Sequence, residues 1–289
     1  MEFIKILTAI PVIQVFILQI MNLFCYIFGF ERNYYIASLL QQIIAVFVPT
    51  YYFYELRKNI PYLQKKDFDI NNIGEPKKLV FFVILGLSLQ MTASLINFPV
   101  ILLFKSMGFE PISDIPVKGG FDFFASIISV CLLPAIFEEV LFRKFVFNDL
   151  RMFSKNTAIL FSALFFAISH MSFYSFGAVL IMGIVFGILR TKEYPLVCLM
   201  ICHFFTNFSV IIITMLSENP FFDKYYYFFA FLSVAAAVYA FLKLFNKPEQ
   251  LEFNYYEKPM LQFINTARGI PYIYPYIIIF ILLGIKNLF

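Results

Sequence analysis

Very few side chains in this sequence are able to carry out acid–base chemistry within its long apolar runs. Glu138 and Glu139 interrupt one run, and the apolar pattern continues past them to Arg151. The only two histidines of the protein, His170 and His203, lie in separate runs that are otherwise uncharged. A charge at mid-bilayer costs about 2.5–3.5 kcal/mol even on lenient insertion scales, so residues of this kind usually have a function. These four side chains are the first candidates for a reactive centre.

Glu138, His170 and His203 are expected at a similar depth in a membrane. Each lies 11 to 15 residues from a basic residue on the predicted inner side, which corresponds to roughly 16–22 Å of helix at about 1.5 Å per residue. The hydrocarbon core is about 30 Å thick, so this layer is near its middle or somewhat towards the inner face. Three helices are thus predicted to bring one carboxylate and two imidazoles together.

The two adjacent glutamates are predicted to differ. Glu139 and Arg143 are spaced i and i+4 with the acid first, which is the favourable order for an ion pair on one helix face. Glu138 then points about 100° away and is left free. A desolvated carboxylate without a full cationic partner accepts a proton more readily, which suits a general base near neutral pH. Glu138 is therefore the predicted reactive carboxylate.

Two versions of peptide-bond hydrolysis fit these residue types. In one, Glu138 activates water, and His203 with Asn207, spaced i and i+4, donates to the developing oxyanion. In the other, Glu138, His170 and His203 are three ligands of a divalent metal such as Zn²⁺, with an open position for water. The sequence has no H-E-x-x-H motif, so a metal site would be assembled from three helices.

The ordered set of motifs resembles one known family. The motifs are E-E-x-x-x-R at Glu138–Arg143, F-x-x-x-H at Phe166–His170 and H-x-x-x-N at His203–Asn207. In this order the set is similar to the CPBP family, which contains CAAX-type prenyl endopeptidases and bacteriocin-processing or immunity enzymes. The resemblance covers roughly residues 122–217 and includes the small-residue helix with Gly183-x-x-x-Gly187.

This resemblance implies an intramembrane endopeptidase. Glu138 would be the catalytic glutamate that activates water, His170 and His203 would complete the centre, and Asn207 would help to hold the oxyanion. It also implies a peptide or membrane-protein substrate with a lipidated or hydrophobic C-terminus. The resemblance does not decide between a bound metal and a glutamate-activated water alone.

Composition indicates which elements must position these residues. Hydrophobic residues make up 61% of the 289, charged residues only 14%, and the mean hydropathy is +0.82. Soluble domains of this length keep roughly a quarter of their residues charged. Backbone groups in lipid must be hydrogen-bonded within their own segment, which favours helices. The predicted fold is an all-α, polytopic membrane bundle.

Apolar runs predict about eight or nine membrane-spanning segments, and the last, which holds Pro271 and Pro275, is either partial or re-entrant. The chain divides into N-terminal helices with a basic loop (1–121), a catalytic helical core (122–217) and C-terminal helices (218–289). The fifth run is long enough for two short helices that turn at Met171–Ser175. The runs are Ile6–Phe30, Tyr34–Tyr54, Leu79–Phe104, Phe123–Phe137, Asn156–Leu189, Pro195–Ser217, Tyr225–Leu242 and Gly269–Ile285.

Basic residues alternate between the two predicted sides, and the majority fall on the side of the N-terminus. The positive-inside rule then predicts a cytoplasmic N-terminus. The high Phe, Tyr, Ile and Lys content is compatible with an AT-rich bacterial genome, so the expected location is a bacterial plasma membrane. The partner implied by these segments is the lipid bilayer. The basic residues flank apolar runs and form no single stripe, so nucleic acid is not a predicted partner.

Other interpretations of the same residues stay open. The Glu139–Arg143 pair is better explained as a structural clamp than as a reacting pair, because the i, i+4 pairing already accounts for both charges. A membrane histidine often serves an interhelical hydrogen bond. A proton- or cation-coupled transporter would also hold acids and histidines at mid-membrane. A non-catalytic immunity or chaperone partner would need no reactive layer.

The cysteines, which lie in apolar runs without metal-site spacing, are predicted to be buried apolar side chains: Cys25, Cys131, Cys198 and Cys202.

Overall fold

The computed structural model describes residues 39–57, 76–109, 120–217, 219–246, 258–269 and 273–286, together with residues 20, 23, 24 and 26–29. Every regular element within these ranges is a helix. This confirms the predicted all-α fold.

From residue 39 onwards the described residues form nine helices. Helix α1 consists of the π-helical segment Gln41–Phe47 and the α-helical segment Val48–Arg57. The others are α2 (Pro76–Ser106), α3 (Gly120–Arg151), α4 (Lys155–Ser169), α5 (Phe173–Thr191), α6 (Leu196–Leu216), α7 (Pro220–Phe245), α8 (Pro259–Arg268) and α9 (Ile273–Lys286).

Five of the described helices, α2, α3, α5, α6 and α7, are long and apolar enough to cross a membrane. The bent pair α8 and α9 makes a sixth span if it is counted as one. The predicted number of eight or nine is not confirmed. Helix α4 has 15 residues, about 22 Å, which is too short for a core about 30 Å thick. The predicted first span, Ile6–Phe30, falls largely outside the described residues.

Basic residues are concentrated at one side of the bundle. Arg151 at the end of α3 lies 3.7 Å from Glu193 after α5, measured between Nη2 and Oε1. The Lys243 ammonium near the end of α7 lies 5.4 Å from the centre of the Phe81 ring near the start of α2. The start of α2 and the ends of α3, α5 and α7 therefore share this side, which also carries Lys77, Lys78, Lys155, Arg190 and Lys192. Which side faces the cytoplasm stays a prediction.

Helix α3 continues without a break to Arg151, as the apolar pattern predicted, but its winding changes from α-helical to π-helical and back at two places. An α-helical segment, Leu133–Glu139, lies between the π-helical segments Ile127–Leu132 and Val140–Val146. π-Helical turns are rare and occur frequently at functional sites. Glu138 and Glu139 are the last two residues of the α-helical segment, and both are buried.

Helices α4 and α5 form the predicted hairpin. Helix α4 ends at Ser169, Met171 has a left-handed backbone conformation with φ 51°, and α5 begins at Phe173. The turn therefore occupies residues 170–172 and begins one residue before the predicted region, Met171–Ser175.

Small residues allow α4 and α5 to approach closely. A Cβ placed on Gly183 would lie 2.9 Å from the Cα of Ala163, and one on Gly187 would lie 3.2 Å from the Cα of Ile159. Any larger side chain would push the two backbones apart. Gly183 and Gly187 are therefore packing residues between α4 and α5.

Aromatic and aliphatic side chains fill the interior of the bundle, where α2 packs against α5, α6 and α7. Cys131, Cys198 and Cys202 are buried in it, as predicted, and Cys25 lies outside the described residues. The largest fully buried apolar side chains are Phe82, Phe145, Phe147, Phe166, Phe186 and Phe263.

Candidate active site

Side chains from five helices meet around the end of the α-helical segment of α3. Helix α3 provides Glu138, Glu139 and Arg143, and α6 provides His203. The remaining contacts come from α1, α4 and α5. Most of these polar groups are less than a tenth exposed, so each needs a partner inside the protein.

Glu139 is held from two sides. Its Oε1 lies 2.8 Å from Nδ1 of His203, and its Oε2 lies 3.5 Å from Nε of Arg143. The predicted i, i+4 ion pair is therefore present, and neither Glu139 nor Arg143 has any exposed surface. An ionised carboxylate only accepts hydrogen bonds, so Nδ1 of His203 carries the hydrogen that it shares with Glu139.

Arg143 is enclosed by aromatic rings. Its guanidinium carbon lies 4.4 Å from the centre of the Phe166 ring and 5.3 Å from that of Phe186. Its Nη2 donates to the backbone carbonyl of Gly183 at 3.4 Å. Cation–π contacts of a desolvated guanidinium are worth about 2 kcal/mol or more. Rings from α4 and α5 thus stabilise the cation that neutralises Glu139.

Glu138 has a different environment. Its Oε1 accepts a hydrogen bond from Nε2 of Gln42 at 3.3 Å, and its Oε2 lies 3.9 Å from Nε2 of His203. Oε2 is buried and has no hydrogen-bond partner among the described residues. One oxygen of Glu138 is therefore fixed by α1, while the other faces the imidazole across a gap wider than a hydrogen bond.

His203 is placed between the two glutamates. Its ring lies 5.3 Å from the Phe186 ring at an interplanar angle of 31°, and it meets the edge of Phe166 at 5.8 Å. These two rings fix the plane of the imidazole, so that Nδ1 faces one carboxylate and Nε2 faces the other.

His170 lies beside this cluster and has no polar contact with Glu138 or His203 among the described contacts. It follows the last residue of α4 and is exposed. Its Nδ1 lies 2.8 Å from the carbonyl oxygen of Phe166, and its ring meets the Phe166 ring at 4.8 Å. Since a carbonyl only accepts, Nδ1 carries the hydrogen, and neutral His170 presents Nε2 as an acceptor. The Phe166 ring thus contacts both histidines.

Asn207 lies one turn after His203 on α6, as the spacing predicted. Its Nδ2 donates to the backbone carbonyl of Val130 on α3 at 2.8 Å. An amide nitrogen has two hydrogens, so this bond orients the group and leaves one hydrogen for another acceptor. Asn207 is half-buried.

The described side chains do not assemble the predicted metal-ligand set. No group of three or more His, Cys, Asp or Glu side chains in the described ranges has a geometry able to hold a metal ion. His170 is separated from the Glu138–His203 pair by the Phe166 ring, and Nδ1 of His203 is engaged by Glu139. Metal content stays a prediction that elemental analysis tests.

Gln42 was not predicted from the sequence, because no ionisable residue lies three or four positions away to mark it, as His203 marks Asn207. The available signal was a carboxamide pair, Gln41-Gln42, inside the otherwise uncharged run Tyr34–Tyr54. A neutral polar side chain in a membrane segment indicates a contact between helices, just as a charged side chain does.

A comparison with known families agrees with this geometry. Residues 120–209 match the family model described as type II CAAX prenyl endopeptidase Rce1-like. The matched segment contains all seven residues that the motifs name, from Glu138 to Asn207. No curated protein and no solved structure gives a significant match to the chain. The family match confirms the resemblance seen in the ordered motifs over residues 120–209. Together with the long apolar helices, it indicates an integral membrane protein.

Proposed function

We propose that this protein is an intramembrane endopeptidase in which Glu138 activates the attacking water. The family match supports an endopeptidase in general terms. The observation that carries the finer proposal is the placement of one imidazole between two inequivalent carboxylates, with His203 2.8 Å from Glu139 and 3.9 Å from Glu138.

The charges in the cluster support the presence of one mobile proton. Glu138 and Glu139 carry two negative charges when ionised, and Arg143 carries one positive charge. A buried cluster in lipid is strongly favoured when it is neutral, so one additional proton is expected. Glu139 is already paired twice, which leaves Oε2 of Glu138 and Nε2 of His203 as the two positions that share this proton.

The first chemical step follows from this arrangement. Water held between Oε2 of Glu138 and Nε2 of His203 loses a proton to Glu138 as its oxygen attacks the carbonyl carbon of the scissile bond. The new C–O bond forms while the carbonyl π electrons move onto oxygen. Protonated His203 then donates through Nε2 to that oxyanion, and the second Nδ2 hydrogen of Asn207 is a further donor.

The second step returns the proton. Glu138, now neutral, donates the proton taken from water to the departing nitrogen as the C–N bond breaks. The carboxylate of Glu138 is regenerated, and one water molecule has been added across one peptide bond. Glu139 and Arg143 keep their charges throughout, and they act by orienting and polarising His203.

His170 is proposed to act at the edge of the site. Its exposed Nε2 is an acceptor next to the Phe166 ring, so it is able to orient water or substrate from the side of the α4–α5 turn. This role is distinct from that of His203, which is buried among the carboxylates.

The substrate is proposed to be a peptide or membrane protein with a lipidated or hydrophobic C-terminus. The reacting groups lie on helices that are apolar enough to span a membrane, so the segment to be cleaved must leave water. A hydrophobic or lipidated end lowers the free energy of that transfer.

A library of fluorogenic peptides with apolar or lipidated C-termini tests the activity. Purified wild type is expected to cleave a subset of the library, and Glu138→Gln is expected to lose cleavage of the same peptides. Glu193→Gln is the matched control, because Glu193 is an exposed carboxylate paired with Arg151 at the edge of the bundle. Cleavage by Glu138→Gln at the rate of the control would contradict the proposal.

A further inference from the structure

Helix α1 lies outside the segment that matches the endopeptidase family, yet it reaches the candidate active site. Its Phe47 ring packs on the Phe137 ring of α3 at 5.0 Å, and Val46 is buried in the core. The contact between the two rings places α1 against α3 one residue before the glutamate pair. The π-helical segment Gln41–Phe47 then presents Gln42 to Glu138.

Within this segment, Gln42 makes the only described hydrogen bond to Glu138. Its Nε2 donates to Oε1 at 3.3 Å across 96 residues of sequence. Its own Oε1 is buried and has no hydrogen-bond partner among the described residues. A carboxamide in an apolar segment that leaves its oxygen unpaired is costly, so packing alone does not account for a glutamine at this position.

We propose that Gln42 is a positioning residue for Glu138. The inference rests on the proposed role of Glu138 as the base. The hydrogen bond to Oε1 fixes the rotation of the carboxylate and directs Oε2 towards Nε2 of His203, where the attacking water must lie. Without it, the carboxylate is free to rotate, because none of the other described side chains donates to either of its oxygens.

The amide of Gln42 also suits both states of the base. Its Nε2 donates to Oε1 of Glu138 when the carboxylate is ionised, and the same bond is kept when the proton taken from water lies on Oε2. A methionine at position 42 keeps the length of the side chain and removes this donor.

The test measures kcat and KM for Gln42→Met on a peptide that wild type cleaves. We expect kcat to fall by about tenfold or more, which is the loss expected for one hydrogen bond to a charged group. KM should stay within about twofold of wild type, because Gln42 contacts the base and not the substrate. Gln90→Met is the matched control: Gln90 is a half-buried glutamine on α2 that bonds to Ser94, away from the site.

Each outcome separates the two proposals. If Glu138→Gln is inactive while Gln42→Met matches Gln90→Met, the positioning role is overturned and the proposed function stands. If Glu138→Gln keeps wild-type activity, the proposed function itself fails. A Gln42→Met protein with raised KM and unchanged kcat would mean that Gln42 binds substrate, which also overturns the inference.

A second variant covers the case in which Gln42→Met does not fold. Gln42→Asn keeps a carboxamide but shortens the side chain by one methylene, so it no longer spans the contact to Oε1. We expect the same selective loss of kcat at an unchanged Tm in detergent. Full activity of Gln42→Asn would overturn the proposal.

Discussion

Two neighbouring glutamates differ because successive residues on a helix point about 100° apart. Glu139 faces Arg143 and Nδ1 of His203, while Glu138 faces Gln42 and Nε2 of the same imidazole. Glu139 thus has an ion pair with Arg143 and a hydrogen bond with His203, and Glu138 keeps an oxygen that is directed at the imidazole. This difference is the basis for assigning the chemistry to Glu138.

Arg143→Ala is expected to destabilise the protein strongly. Removing one partner of a buried ion pair leaves an uncompensated charge, here on Glu139, at a cost of about 3–5 kcal/mol. Thermal unfolding in detergent should show a clearly lower Tm than wild type. Arg151→Ala is the control, because Arg151 is partly exposed and its contact with Glu193 is 3.7 Å long. An Arg143→Ala protein as stable as this control would contradict the assigned ion pair.

The two histidines should separate stability from activity. His203→Ala removes the hydrogen bond to the buried Glu139 and should lower both Tm and kcat. His170→Ala alters an exposed side chain, so Tm should stay near that of wild type while cleavage slows. Melting curves and cleavage rates measured in parallel on the two variants show whether each histidine contributes to stability, to activity or to both. Equal losses of Tm in both would show that His170 is a structural residue.

The residue types and spacings predicted much of the cluster. Glu139–Arg143 and the proximity of Glu138 to His203 followed from helix periodicity and depth counting. The position of His170 outside the cluster could not be predicted in this way. Counting residues gives the depth of a residue along a helix, but it does not give the direction in which its side chain points. Gln42 was not predicted because no ionisable residue lies one helical turn from it, as His203 does for Asn207. Which helix packs beside Glu138 also depends on tertiary contacts such as Phe47 on Phe137.

At the scale of helices, the close contact between α2 and α6 positions His203. A Cβ on Gly86 would collide with the backbone carbonyl of Cys202, the residue before His203, and would lie 2.9 Å from the Cβ of Phe205. Only a residue without a side chain allows the two backbones to approach in this way. Gly86 therefore sets the distance of α6 from the rest of the site.

Gly86→Ala is expected to lower both kcat and Tm, since forcing a methyl group into a packed contact costs about 1–3 kcal/mol and displaces α6 next to His203. Gly120→Ala is the control, because a Cβ there would have no neighbour within 4 Å. Cleavage rates and melting temperatures of the two variants should differ clearly. Wild-type values for Gly86→Ala would show that the contact does not position the site.

Apolar runs predicted α2, α6 and α7 because each is a single long stretch of apolar side chains, whereas α5 shares its run with α4. The number of spans was less predictable. Hydropathy does not distinguish a helix that crosses the membrane from α4, which turns back after 15 residues. The π-helical segments of α1 and α3 were also not predicted, since they arise from packing against neighbouring helices and have no periodic sequence pattern.

The whole molecule has one strongly basic side, where α2 begins and α3, α5 and α7 end. The positive-inside rule predicts that this side faces the cytoplasm. A reporter that is active on only one side of the membrane, fused after residue 152, 193 or 246, should give the same result at all three positions. Fusions after residue 109 or 217 should give the opposite result. If the reporter is active after residue 152 but not after residue 193, or the reverse, the two positions lie on opposite sides of the membrane, which would contradict the hairpin of α4 and α5.

The most direct test of the account is the rate of cleavage of one defined peptide by purified Glu138→Gln. A glutamine has nearly the shape of the glutamate but cannot accept the proton of water, and a general base contributes about 10²–10⁴-fold. The account predicts a loss of kcat of this size, with binding of the uncleaved peptide and Tm both close to wild type. Retention of wild-type kcat in Glu138→Gln would contradict the claim that Glu138 is the base.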